Sequence, residues 1–150
     1  MHALEIIHTL LEPNGCLIDI HPNGPPMPIE ACLAGQFHLL GYLQETDDFI
    51  EYGQASAALG EVIQRGLFVV EGQGRFIFIT RAGAVDELHT FLTENWTDSI
   101  FPAEVELRAR ELSLSTGQIT SAQLTVETLI TRMKKISQVQ PKKSTHLVPV

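Results

Sequence analysis

The sequence has little of what would hold or anchor a chain by anything other than ordinary packing. Only two of its 150 residues are cysteines, Cys16 and Cys32. They sit in apolar runs with no CxxC spacing, which predicts small buried thiols rather than a disulfide framework or a zinc knuckle. The six histidines fall at positions 2, 8, 21, 38, 89 and 146 without an HxH or HExxH spacing, so no metal site is expected. No stretch is long and apolar enough to span a bilayer, and residues 1–15 lack both a basic start and a small-residue cleavage site. The expectation is a soluble, cytoplasmic chain without membrane contact. Positive charge is scarce as well: residues 1–127 hold all 18 acids against five arginines, while residues 128–150 hold five Lys or Arg and no acid. An acidic body repels phosphate backbones, so no nucleic-acid partner is expected.

What is present reads as one domain over 1–137 followed by a flexible basic tail over 138–150, where Pro141, Lys142 and Lys143 fall. Leu4, Ile7, Leu10 and Leu11 keep helical spacing, and the "EPNG" after them stops the helix. "CLIDI" then reads as a short buried strand, and the four prolines of "HPNGPPMP" exclude both helix and central strand. Two β-prone runs around Gly35 predict a hairpin over 29–43. Thr46 is placed to cap a helix that ends at Arg65 and Gly66, with Ala55, Ala58, Leu59, Val62 and Ile63 on one stripe. "LFVVEGQGRFIFIT" predicts an antiparallel hairpin of strands 67–71 and 75–80 turning at "GQG". Helices are expected over 84–96, from Pro102 onward, and over "SAQLTVETLITRMKKI" at 121–136, whose basic end suits a helix C-terminus. The fold class is therefore α/β, with main strands at 16–20, 67–71 and 75–80 and flanking helices. A helix between the first two strands predicts that they run parallel.

That order, with "IIHTLLEPNGCLIDIHP" leading into it and "RGLFVVEGQGRFIFIT" closing it, resembles the C-terminal half of a class I S-adenosylmethionine-dependent methyltransferase, a Rossmann-like fold. In that family a helix and a "L-x-P-G-G" type turn lead to the fifth strand, a further helix leads to the sixth, and an antiparallel seventh strand inserts between the two. Asn14 stands where the family commonly has glycine, and "AVDELHTFLTENWTDSIFP" resembles a helical extension of some bacterial members. The resemblance implies that the cofactor site lies in a half not encoded here. No "GxGxG" occurs, and "GQGRF" at 72–76 joins two strands rather than opening a helix, so no phosphate or nucleoside cradle is expected. The chain alone should bind no cofactor, and S-adenosylmethionine only if a partner supplies the missing half.

Asp19 and His21 are weak catalytic candidates, because they stand at the C-terminal end of the first strand, where open α/β sheets place ligands. No serine or cysteine sits in an elbow beside them. Asp47, Asp48 and Glu51 are expected to complement a helix dipole rather than hold a cation, and Trp96 to anchor a core or an interface. The leading functional expectation is a methyltransferase-like domain without its own cofactor site, acting as a homodimer or with a partner chain at the exposed edge of the strand Cys16–Ile20. One alternative is the substrate-side half of a methyltransferase completed by another chain. Another is a winged-helix DNA-binding regulator, which the single Arg65 against four acids over 46–66 disfavours.

Overall fold

A computed structural model describes residues 3–137. Over that span the chain forms helix α1 (Ala3–Leu10), strands β1 (Cys16–Pro22), β2 (Pro28–Leu33), β3 (Gln36–Tyr42) and β4 (Gln44–Glu45), and helix α2 (Ile50–Gln64). Strand β5 (Phe68–Ala82), helix α3 (Val85–Asn95), strand β6 (Ser99–Ile100), helix α4 (Ala103–Thr116) and strand β7 (Ile119–Lys135) follow. The expected mixture of α and β stands, and the strand pairings are antiparallel. No helix among the described residues is long and apolar enough to cross a membrane. The tail expected over 138–150 lies outside the described residues.

The main sheet is organised around β7. One edge of β7 pairs with β5, from Phe68 opposite Lys135 to Ala82 opposite Ala122. The other edge serves two strands end to end, with β1 against residues 128–134 and β2 against residues 119–124. The proline loop between β1 and β2 carries a cis Pro25–Pro26 bond and stays tied to β7, the Asn23 N–H donating to the Glu127 carbonyl at 2.8 Å. The hairpin expected over 29–43 is present as β2 and β3. Its turn residues Ala34 (φ 49°) and Gly35 (φ 80°) are both left-handed, the geometry that matches strand twist in a two-residue connection.

Several expectations are corrected. The span 121–136 is not a helix but the central strand. Thr120, Thr125, Val126, Thr128, Ile130 and Thr131 are β-branched and stiff at χ1, and a strand paired on both edges satisfies its backbone groups without a helix. The span 67–80 is not a hairpin but part of one strand, because β7 offers a partner along its whole length. Gly72 and Gly74 lie outside the left-handed region that a tight reversal needs, and the one extra residue is absorbed as a bulge between Val70 and Gly72. No wing forms at "GQG". Strands 16–20 and 67–71 are not neighbours, since β7 lies between them. Each is antiparallel to β7, so β1 and β5 do run in the same direction, and the inserted antiparallel strand is 119–135 instead of 75–80. Thr46 does not cap α2, since its hydroxyl donates to the Asp98 carbonyl at 3.1 Å. The N-cap position is Phe49, left-handed and without a side-chain cap, and Asp47, two residues before it, accepts from the N–H groups of Phe49 at 3.1 Å and Glu51 at 3.4 Å. The two cysteines are free thiols, Cys16 exposed and Cys32 half-buried, rather than fully buried.

Directly opposed residues share a face of the sheet, and this divides the core in two. Ala122, Leu124 and Val126 of β7, with Ile29 and Ala31 of β2, face α3 and α4 and pack on Leu88, Leu92, Val105 and Ala109. Met133, seven residues beyond Val126, faces the other way and packs with Phe68 on Leu59 and Val62 of α2 and on Leu4 of α1. The helix pairs thus cover opposite faces at opposite ends of β7. Two quarters of the sheet are left open.

Candidate functional site

The first feature is a polar relay on the α2 side of β1. Asp19 and His21 are two residues apart on one strand, so their side chains leave the same face. The His21 Nδ1 lies 2.6 Å from Asp19 Oδ2, and Nε2 lies 3.2 Å from the hydroxyl oxygen of Ser56. With the carboxylate accepting, Nδ1 carries the proton and donates, and bare Nε2 accepts from the Ser56 hydroxyl. His21 is 12% and Asp19 22% exposed at the side chain, while Ser56 is exposed on α2. Sequence reasoning singled out Asp19 and His21 but missed Ser56. Its only signal is the small-residue run "GQASAALG" at 53–60, which lets α2 approach β1 closely.

The second feature is the open quarter on the opposite face. Ile18, Ile20 and Pro22 of β1 oppose Arg132, Ile130 and Thr128 of β7, which oppose Gly72, Gly74 and Phe76 of β5, with Phe78 beyond. Trp96, at the end of α3, closes one end of an apolar trough of about 390 Å³. Ile18 and Ile20 are 58% and 57% exposed and Phe78 is 58% exposed, far more than side chains of this size show in a filled core. Along β5 the exposure spans both faces: Ile77 and Ile79 point away from the trough and are open too. Among the described residues no strand pairs with the outer edge of β5 or with that of β1.

No protein-family model matches the sequence, and searches of curated proteins and of solved structures return no match.

The remaining candidates have structural partners. Asp47 accepts from backbone N–H groups at the start of α2, Asp48 is a left-handed turn residue (φ 55°), and among the described residues no group of three or more His, Cys, Asp and Glu is placed to hold a metal ion. Trp96 lines the trough and packs on the larger core. "GQGRF" runs extended within β5. A buried acid that sequence reasoning passed over lies close by: Glu45 accepts from the Tyr52 hydroxyl at 2.6 Å and is also hydrogen-bonded by Trp96. Burial raises the Glu45 carboxyl above its ordinary range, and the nearby Asp47 and Asp98 push the same way against those hydrogen bonds. Burial and the Glu45 carboxylate likewise hold the Tyr52 phenol well above its usual value.

Proposed function

We propose that this domain acts by association with a second copy of itself, through the outer edge of β5, and carries no cofactor site of its own. The observation that carries the reading is the run Phe76, Ile77, Phe78 and Ile79, four consecutive exposed apolar residues on a strand whose outer edge has no partner among the described residues. A long apolar edge is a template for another strand. Face-to-face packing would cover Phe76 and Phe78 alone, whereas edge pairing also covers Ile77 and Ile79 on the other face.

The register of self-pairing follows from the side chains. A two-fold axis through Ile77, perpendicular to the sheet, sets Phe76 opposite the partner's Phe78 on the trough face and Ile77 opposite the partner's Ile77. Arg75 then faces the partner's Ile79, and Gln73 the partner's Arg81. Centring on Arg75 or Phe78 would instead oppose arginine to arginine, which is unfavourable. The result is a continuous sheet with the two troughs joined.

The order β1, β7, β5, with β7 opposed to two strands of one direction, supports retaining the methyltransferase-like reading for these strands. On that reading the unpaired edge of β1 is where a missing half would add, and completion of a methyltransferase by another chain is the second reading. Light scattering on the full chain separates them. A dimer that Ile77→Lys converts to monomer, while Ile18→Lys does not, is the expected result. A monomeric wild type would sink the proposal. Loss of association with Ile18→Lys alone would move the interface to β1 and favour the second reading, and a stability shift with added S-adenosylmethionine would disprove the absence of a cofactor site.

A further inference from the structure

We infer that Ser56 is a nucleophile activated by His21 and oriented by Asp19, and that it takes small, activated carboxylic esters as substrates. This rests on the relay alone and is independent of how the domain associates. Asp19 fixes the imidazole with Nδ1 protonated, which leaves Nε2 bare and pointed at the Ser56 hydroxyl at 3.2 Å. Nucleophile and base within hydrogen-bond reach, with a third group orienting the base, is the arrangement that activates a serine whatever the fold. His21 is mostly buried, so the relay is held by packing, while Ser56 is exposed and flanked along α2 by Gly53, Ala55, Ala57 and Gly60. A small acyl group can reach its oxygen.

The step balances with water as the only co-reactant. The Ser56 oxygen forms a bond to the ester carbonyl carbon as its proton passes to Nε2 of His21. The ester C–O bond then breaks, and the leaving aryloxide carries off the electron pair and takes that proton from Nε2. Water repeats the sequence on the acyl-serine, releasing the acid and restoring the hydroxyl. The substrate class follows from position. Ser56 lies in the middle of α2 (Ile50–Gln64), where backbone N–H groups already bond within the helix, so no pair of free amides is offered to a developing oxyanion. Acylation without that help needs a good leaving group, which selects aryl over alkyl esters.

The test treats the full chain with a fluorophosphonate probe and, separately, with p-nitrophenyl acetate, and maps adducts by mass spectrometry. The expected result is a single adduct on Ser56, lost in Ser56→Ala, with the labelling rate falling about 100-fold in His21→Gln. Asp19→Asn should slow labelling as well, and Asp19→Glu should recover part of it. Ser56→Ala is at an exposed helical position where alanine favours the helix, and circular dichroism checks that it folds. Labelling at another residue, labelling that survives in Ser56→Ala, or no labelling of wild type overturns the inference.

Discussion

Gly41→Ala tests the packing of α4 on the β2–β3 hairpin. A Cβ built on Gly41 would stand 2.8 Å from Cγ2 of Val105, well inside ordinary van der Waals contact. Val105 is fully buried among Leu40, Leu88 and Leu92, so it has nowhere to turn without displacing neighbours. The alternative is for α4 to lift off the hairpin, which would also stretch the bond from Arg108 Nη1 to the Leu40 carbonyl, now 3.2 Å. Overpacking of this kind costs about 1–3 kcal/mol. Gly41 is not in the left-handed region, so alanine recovers about 0.4–1 kcal/mol through the unfolded chain. A net loss of about 1–2 kcal/mol should appear in urea unfolding as a lower midpoint with unchanged slope. Val105→Ala alone leaves a cavity and is also destabilising, but it removes the methyl that the new Cβ strikes. In the double mutant the two losses should therefore fall short of their sum by more than about 0.5 kcal/mol, the scatter of independent sites. Additive losses, or a stabilised Gly41→Ala, would refute the close approach of β3 and α4.

Three further measurements probe other parts of the fold. Glu45→Gln keeps an acceptor for Tyr52 and Trp96 while removing a charge that burial and the neighbouring Asp47 and Asp98 disfavour, so it should stabilise the protein at neutral pH. Because the folded carboxyl is raised, the folded state binds more protons than the unfolded one between the unfolded value near 4.5 and the raised value, and wild-type stability falls as pH rises through that window. The advantage of Gln over Glu, read from Tm, should therefore shrink on acidification, and a constant difference would show the carboxyl to be unperturbed. Met133→Ala and Leu92→Ala should each cost about 2–5 kcal/mol. Their effects should add to within about 0.5 kcal/mol, since they lie in cores on opposite faces, and strong coupling would show a single core.

The sequence was legible where local chemistry decides structure. "EPNG" ends α1 as expected, with Asn14 in the left-handed conformation (φ 64°) that glycine would otherwise supply, and Ala34 with Gly35 makes the predicted turn. It was misleading where tertiary pairing decides. In residues 121–136 alanine, leucine and methionine suggest a helix, but the outcome depends on strand partners from 40 (Ala82 with Ala122) to 118 (Cys16 with Lys134) residues away in the chain. The burial pattern of β7 also hides its period, since Ala122, Gln123 and Leu124 are all buried where neighbouring strands flank both sides. "GQG" failed for the same reason, a turn signal overridden by a long partner. Asp19 and His21 were visible because they share a strand, while Ser56 arrives from a helix whose docking no local pattern encodes.

The two open quarters of the sheet are a consequence of geometry, but their composition is not. A strand of 17 residues is too long for one helix pair to cover, so diagonal covering leaves one quarter bare on each face. On the α2 face the bare quarter is polar: Gln123 donates to Glu30 at 2.9 Å, Arg81 donates to Gln123 at 3.2 Å, and Asn23 donates to Glu127 at 2.5 Å. The other bare quarter holds Ile18, Ile20, Phe76, Phe78 and Ile130. Were both quarters simply left to water, both would be expected to carry the polar kind of residue. Exposed apolar residues of the sheet on the α2 face include Ile77 and Ile79 of β5, at the edge where a second copy would pair, and Phe37 and Leu39 of β3 at the opposite edge. At the β5 edge apolar residues thus occur on both faces, Phe76 and Phe78 on one and Ile77 and Ile79 on the other, which is the distribution that edge pairing with joined troughs requires.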